Sequence, residues 1–198
     1  MFTGIVEATG LVRRIEVDQS NLKFFIKAPF SKELKIDQSI AHNGICLTVD
    51  GIEESLYSVT AIEETLLKTN LRGIKVGDTI NLERSMMLND RLDGHLVQGH
   101  IDQTAICIEI IGQEGSHIFT FNYDATKGNV TIEKGSVCIN GVSLTVINSR
   151  NGAFSVAIIP FTFEHTNFKK LEKGSVVNIE FDVIGKYVAR YLQQLIKK

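Results

Sequence analysis

Two short runs carry the residue types best suited to chemistry. Asn43-Gly44-Ile45-Cys46-Leu47-Thr48-Val49 sets a thiol two residues before a hydroxyl, and Asn140-Gly141-Val142-Ser143-Leu144-Thr145-Val146 sets hydroxyls at both corresponding positions. In each run apolar residues alternate with polar ones, which predicts a half-buried strand. Residues i and i+2 share a strand face, so Cys46 with Thr48, and Ser143 with Thr145, are expected on outer, polar faces. A thiol or hydroxyl there can attack an electrophile or relay a proton once a base is near. Histidine is the natural base, because its unperturbed pKa of about 6.5 suits proton transfer at neutral pH. His95 and His100 lie in Gly94-His95-Leu96-Val97-Gln98-Gly99-His100-Ile101-Asp102, and their spacing is not the i, i+4 spacing of a helical zinc motif. The plainer alternative is that these Ser and Thr are ordinary solvent-exposed residues and Cys46 a small packing group.

The two runs belong to an internal repeat. The offset of 97 residues that carries Asn43 onto Asn140 also carries Ser39 onto Ser136, Ser58-Val59 onto Ser155-Val156, and Ile62 onto Ile159. It carries Thr65 onto Thr162, Thr69-Asn70 onto Thr166-Asn167, and Gly77, Asn81 and Glu83 onto Gly174, Asn178 and Glu180. The N-terminal parts align more weakly, with Gly4-Ile5-Val6-Glu7 opposite Gly99-His100-Ile101-Asp102. His100 therefore stands where the first copy has an apolar residue, which favours it as a functional group. The chain reads as two copies of one domain, 1–88 and 89–184, followed by a tail, 185–198.

The elements that must position these residues are mostly strands. Beyond the two repeated runs, strands are expected near 9–16, 22–28, 56–61, 78–83, 104–111, 117–122, 153–159 and 175–181. Asn43-Gly44 and Asn140-Gly141 are tight-turn signals. Segments 62–70 and 161–168 each have room for one short helix. Short strands at this spacing predict an all-β chain of two tandem small Greek-key barrels. A small barrel is filled by its own side chains, so a ligand must sit outside it; two like barrels offer two like pockets. In the tail, Ile184, Tyr187, Val188, Tyr191, Leu192 and Leu195 recur at helical spacing, opposite Lys186, Arg190, Gln193 and Gln194. This predicts an amphipathic C-terminal helix with Lys197 and Lys198 at its favourable end. It either packs on its own barrel or joins matching helices in an oligomer.

Composition excludes several classes. The 198 residues carry 21 Lys+Arg and 23 Asp+Glu, a net charge of −2, which argues against a broad nucleic-acid footprint. With 43% hydrophobic and 22% charged residues the chain is globular. No apolar run approaches the roughly 18 residues that read as a membrane span, and Met1–Ile5 shows no secretory leader. Cys46, Cys107 and Cys138 form no C-x-x-C pair, so neither a disulfide framework nor a zinc site is expected, and a reducing cytoplasm is. There is no phosphate loop, dinucleotide fingerprint or G-x-S-x-G elbow.

Several stretches together resemble the riboflavin synthase family. They are Met1-Phe2-Thr3-Gly4-Ile5-Val6-Glu7, His42 to Val49, Gly94 to His100, Lys134-Gly135-Ser136, and Asn140 to Val146. The resemblance spans nearly the whole chain and includes the repeat. It implies two similar six-stranded Greek-key β-barrels and a C-terminal helix, assembled as a homotrimer through that helix, with the site between the first barrel of one copy and the second barrel of a neighbour. It implies that two molecules of 6,7-dimethyl-8-ribityllumazine react by four-carbon transfer to give riboflavin and 5-amino-6-(D-ribitylamino)uracil, with no metal, flavin or nicotinamide cofactor. Association with a lumazine synthase shell is left open. The catalytic candidates it implies are Cys46, His100, Ser143 and Thr145, with Ser39 and Asp182 nearby. His100 would relay protons, Ser143 and Thr145 would orient water or a substrate hydroxyl, and Cys46 would line the first pocket or act as nucleophile. Asp182 would hold a ribityl hydroxyl or assist His100, or is a plain strand-end residue. Substrate-binding segments would be Gly4, Ile5 and Val6, Cys46, Leu47 and Thr48, and Thr60, Ala61, Ile62, Glu63, Glu64 and Thr65 in the first copy. In the second they would be Gly99, His100 and Ile101, Lys134, Ser143, Leu144 and Thr145, and Ala157, Ile158, Ile159, Pro160, Phe161 and Thr162. Gln98 and Phe161 depart from the residues usual at their positions. A non-catalytic lumazine- or flavin-binding antenna protein of the same two barrels is the alternative, and a reductase's flavin-binding barrel would need a partner domain for which the chain has no room.

Overall fold

The computed structural model describes residues 1–196; Lys197 and Lys198 lie outside the described residues. Barrel 1 contains β1 (Ala8–Asp18), β2 (Asn21–Lys27), β3 (Ser39–His42), β4 (Ile45–Glu53), β5 (Leu56–Ala61) and β6 (Thr79–Arg84). Barrel 2 contains β7 (Gln103–Gln113), β8 (Ser116–Tyr123), β9 (Ser136–Ile139), β10 (Val142–Arg150), β11 (Ala153–Ile158) and β12 (Val176–Phe181). Both close with the same antiparallel order, β1-β2-β5-β4-β3-β6 and β7-β8-β11-β10-β9-β12. The expected strands are present. The two four-residue strands, β3 and β9, were not foreseen, because four residues are too few to display a period. Helices α1 (Glu63–Lys68) and α2 (Pro160–His165) fall in the two segments expected to be helical. Pro160 occupies the first turn of α2, where its missing N–H costs nothing.

Alternation places Ile45, Leu47 and Val49 in the first core, with Phe24, Ile26, Tyr57 and Leu82. The second core is more aromatic, with Phe119, Phe121, Phe154 and Phe168 all fully buried. Each such side chain stabilises the fold by roughly 1.5–3 kcal/mol. Barrel 1 also buries a polar pair. His42 Nδ1 faces the Ile40 carbonyl at 3.0 Å, so it carries the hydrogen, and Nε2 accepts from the Tyr57 hydroxyl at 2.9 Å. Burial pushes His42 down to about 4, so its ring is neutral at pH 7.

The barrels meet at their repeated turns. Asn43 and Gly44 have φ of 47° and 80°, Asn140 and Gly141 of 45° and 81°. These are the two successive left-handed residues that a type I′ hairpin demands. The turns lie back to back, and a Cβ on Gly44 would be 2.8 Å from the Gly141 backbone nitrogen. Around them six asparagines bridge the boundary. Asn178 Nδ2 donates to the Asn43 carbonyl at 2.9 Å, and Asn81 Nδ2 to the Asn140 carbonyl at 2.8 Å. Asn167 N–H donates to Asn81 Oδ1 and Asn70 N–H to Asn178 Oδ1, each at 2.7 Å. Every pair has its repeat-related twin, so the repeated asparagines of the sequence are the residues that join the barrels and satisfy each other's buried polar groups.

Helix α3 (Val183–Ile196) follows β12 directly. Asp182 caps it, accepting from Ile184 N–H at 3.0 Å, and Lys186 ties it to Asp102 at 2.7 Å. Ile184, Tyr187, Val188, Tyr191, Leu192 and Leu195 are 53–68% exposed. Of the two readings of this stripe, close packing on its own barrel is not what the single chain shows.

Candidate functional site

Strand register sets the outer faces. On barrel 1, Ser39 pairs with Thr48 and Ala41 with Cys46; on barrel 2, Ser136 pairs with Thr145 and Cys138 with Ser143. Cys46 and Ser143 are half-buried, while Thr48 and Thr145 are exposed. An open groove lies at the same place on each barrel. The first, about 380 Å³, is bordered by Gln38, Ser39, Arg84 and Ser85. The second, about 430 Å³, is bordered by the repeat-related Gly135, Ser136, Phe181 and Asp182, together with α3.

What half-covers Cys46 and Ser143 is a pair of straps leading into the barrels. Phe2 and Val97 exchange backbone hydrogen bonds of 2.8 and 3.0 Å. Beyond that point the straps cross. Ser143 N–H donates to the Gly4 carbonyl at 2.7 Å, and Cys46 N–H to the Gly99 carbonyl at 2.9 Å. Val6 packs against the core of barrel 2 and Ile101 against that of barrel 1. The sequence assigned Gly4, Ile5 and Val6 to the first copy's site and Gly99, His100 and Ile101 to the second's. In the folded chain Gly4 and Val6 lie against barrel 2 and Gly99 and Ile101 against barrel 1, because each strap reaches its own barrel only after passing the other. Gly4 and Gly99 turn at φ of 75° and 82°, and a Cβ on Gly99 would be 2.5 Å from that of Cys46.

A buried carboxylate grips each strap. Glu83 accepts from Thr3 N–H at 2.6 Å, Thr3 Oγ1 at 2.8 Å and Gly4 N–H at 3.1 Å. Glu180 accepts from the N–H groups of Gln98, Gly99 and His100 at 2.7–2.9 Å. Burial pushes both carboxyls up, against the pull of these donors. Gln98 serves here through its backbone, so its departure from the family's usual residue leaves the strap intact.

The histidine that reaches Ser143 is His95, not His100. His95 Nδ1 lies 2.6 Å from Ser143 Oγ, and its N–H donates to the Thr3 carbonyl at 3.0 Å. Burial lowers the His95 pKa, and the nearby Asp182 carboxylate opposes that shift. The ring is therefore neutral at pH 7 and can accept the Ser143 proton. His100 has an exposed ring on the strap that passes Cys46. Sequence reasoning preferred His100 for its contrast with Ile5. Each of the two histidines follows a glycine, so the sequence held no signal for His95; only the fold brings Gly94 so near that a Cβ there would lie 2.9 Å from that of Ser143.

The other expected residues divide by exposure. Leu47, Ala61 and Ile158 point into the cores, so only their backbone can meet a ligand. Thr60 donates to Asp50, and Ile62, Glu63 and Glu64 are exposed with Thr65 half-buried. On barrel 2, Lys134 is exposed with φ of 62°, and Leu144 and Thr162 are half-buried. Ala157, Ile159 and Pro160 are exposed, and Phe161, 69% exposed, stacks on His165 with centroids 4.1 Å apart.

Comparison with known proteins agrees with this architecture. The family described as the lumazine binding domain matches residues 3–85 and again 98–182. The riboflavin synthase of Bacillus amyloliquefaciens is 37% identical over 195 residues, covering 98% of this chain and 91% of that one. That of Schizosaccharomyces pombe is 36% identical over 197 residues, covering 98% and 94%. Among solved structures, LumP complexed with riboflavin superposes with a TM-score of 0.85 at 24% identity, over 91% of this chain and 99% of that one, a likeness of fold. Two matches to one domain, in the two barrels, and full-length relatives at this identity establish that the chain belongs to the riboflavin synthase family.

Proposed function

We propose that the chain is a transferase that converts two molecules of 6,7-dimethyl-8-ribityllumazine into riboflavin and 5-amino-6-(D-ribitylamino)uracil. One lumazine loses a proton from its 7-methyl group, and the ring delocalises the resulting carbanion. The other is attacked at ring carbon 7. Holding the two in opposed orientation makes the encounter effectively intramolecular, worth up to about 7–11 kcal/mol. The observation that carries a catalytic reading, rather than passive binding, is the 2.6 Å contact between neutral His95 and Ser143. Ser143 takes the methyl proton as it passes its own to His95. Thr145 orients the ribityl chain or water, and Asp182 steadies the imidazolium. Cys46, Thr48, Ser39 and His100 border the companion subsite on barrel 1.

One chain presents its two grooves on separate barrels, so a complete site needs a second copy. The exposed apolar stripe of α3 supports assembly as a homotrimer through that helix. The domain limits 1–88, 89–184 and 185–198 go with this reading. A cytoplasmic location is favoured by three free cysteines, and no helix among the described residues is long and apolar enough to cross a membrane.

The test is to incubate the pure protein with the lumazine alone and follow riboflavin absorbance. One riboflavin per two lumazines, lost in His95→Gln, is expected. Tight binding without riboflavin would overturn the reading in favour of an antenna protein.

A further inference from the structure

We propose that Glu83 and Glu180 are positioning residues that act across the barrel boundary, Glu83 of barrel 1 on the His95–Ser143 pair of barrel 2, and Glu180 of barrel 2 on Cys46 and His100 beside barrel 1. The inference rests on the proposed function for its kinetic consequences, but its geometry stands apart from them.

The chain of contacts is short. Glu83 fixes Thr3 and Gly4 through three donors. The Thr3 carbonyl then accepts from His95 N–H at 3.0 Å, and the Gly4 carbonyl from Ser143 N–H at 2.7 Å. Both partners of the 2.6 Å Nδ1–Oγ contact thus hang on adjacent carbonyls of a strap that one carboxylate holds. Its twin Glu180 fixes Gln98, Gly99 and His100, and the Gly99 carbonyl accepts from Cys46 N–H at 2.9 Å. Glu83 and Glu180 are 7% and 1% exposed, so neither faces solvent or an open groove. A carboxylate is acceptor-only and matches converging N–H donors; an amide in its place turns an NH2 group toward one of them. The strap then shifts, and with it the reacting groups of the opposite barrel, where displacement of about 1 Å can cost a hundredfold in rate. Neither barrel's polar pair is therefore in register without the other barrel.

The experiment uses the full chain in two double-mutant cycles. Glu83→Gln is expected to lower kcat about tenfold to hundredfold, to add nothing further in a Ser143→Ala background, and to keep its whole effect in a Cys46→Ala background. Glu180→Gln should show the reverse. Two readouts do not depend on turnover. Glu83→Gln should move the His95 ring resonances and leave Cys46 alkylation unchanged, whereas Glu180→Gln should speed alkylation of Cys46, whose fellow cysteines are buried, and leave His95 in place. Coupling within the same barrel, or equal effects of both variants on both reporters, overturns the crossing and leaves only a general role in folding. If a Gln variant does not fold, Glu83→Asp and Glu180→Asp, which keep the charge but shorten the reach, must give the same crossed pattern. A wild-type chain that makes no riboflavin would sink the proposed function, while the resonances and the alkylation rates still decide the crossing.

Discussion

Acidification should destabilise barrel 1 through a single histidine. His42 is sealed between the Ile40 carbonyl and the Tyr57 hydroxyl, and burial holds it at about 4 against an ordinary value of 6.5. In the unfolded chain it titrates near 6.5, so between 6.5 and 4 the unfolded state binds more protons and stability must fall as pH falls. A shift of this size is worth about 3.4 kcal/mol in the limit, at 1.36 kcal/mol per pH unit. About 2.5 kcal/mol of it is lost by pH 4.5. Glu83 and Glu180 work in the opposite sense, because carboxyls whose folded pKa is raised stabilise the fold at the acid end. The wild-type curve alone therefore mixes signs, and the difference from a variant isolates His42. Urea unfolding of wild type and His42→Gln, at fixed protein concentration from pH 7.5 to 4.5, is the assay. The variant's disadvantage should shrink by about 2.5 kcal/mol across that range. Parallel curves, within about 1 kcal/mol, would mean that His42 takes up its proton in place, and the argument from its sealed geometry would fail.

Other outcomes follow from the same contacts. Gly44→Ala puts a Cβ at φ +80° and 2.8 Å from the Gly141 nitrogen, and should cost about 2–4 kcal/mol in urea unfolding; a loss below about 1 kcal/mol would mean the turns are not in contact. Asn178→Ala strands the Asn43 carbonyl and the Asn70 N–H at the barrel boundary and should cost about 2–4 kcal/mol, visible as a lower urea midpoint. His95→Gln should reduce kcat by about 10²–10⁴. Because burial holds His95 below the ordinary histidine value, the acid limb of the wild-type kcat/KM profile should have its midpoint on the acid side of a free imidazole's, and His95→Gln should lack that limb.

Much of this was legible in the residues. The alternation around Cys46 and Ser143 fixed which side chains face out, since period two leaves no other choice once one face is buried. The Asn-Gly pairs fixed the hairpins, because few residues other than Gly and Asn accept successive left-handed conformations cheaply. What was not legible was contact between distant segments. His95 and Ser143 are 48 residues apart, and nothing local distinguishes His95 from His100. The buried role of Glu83 and Glu180 was hidden for a related reason. A glutamate at a strand end reads as surface, and only the converging amides of a distant strap make burial tolerable.

By itself the sequence determined that there are two barrels, where their strands alternate, and which polar residues stand outside, because each depends on near neighbours and on a period written in the chain. The tertiary structure alone decided how the barrels share their parts. The back-to-back turns of Gly44 and Gly141 bring the boundaries together, and the straps from Phe2 and Val97 then satisfy backbone donors on the opposite barrel. Backbone groups carry no sequence signature, so a site whose register is set by carbonyls of crossing straps appears only when the chain is folded.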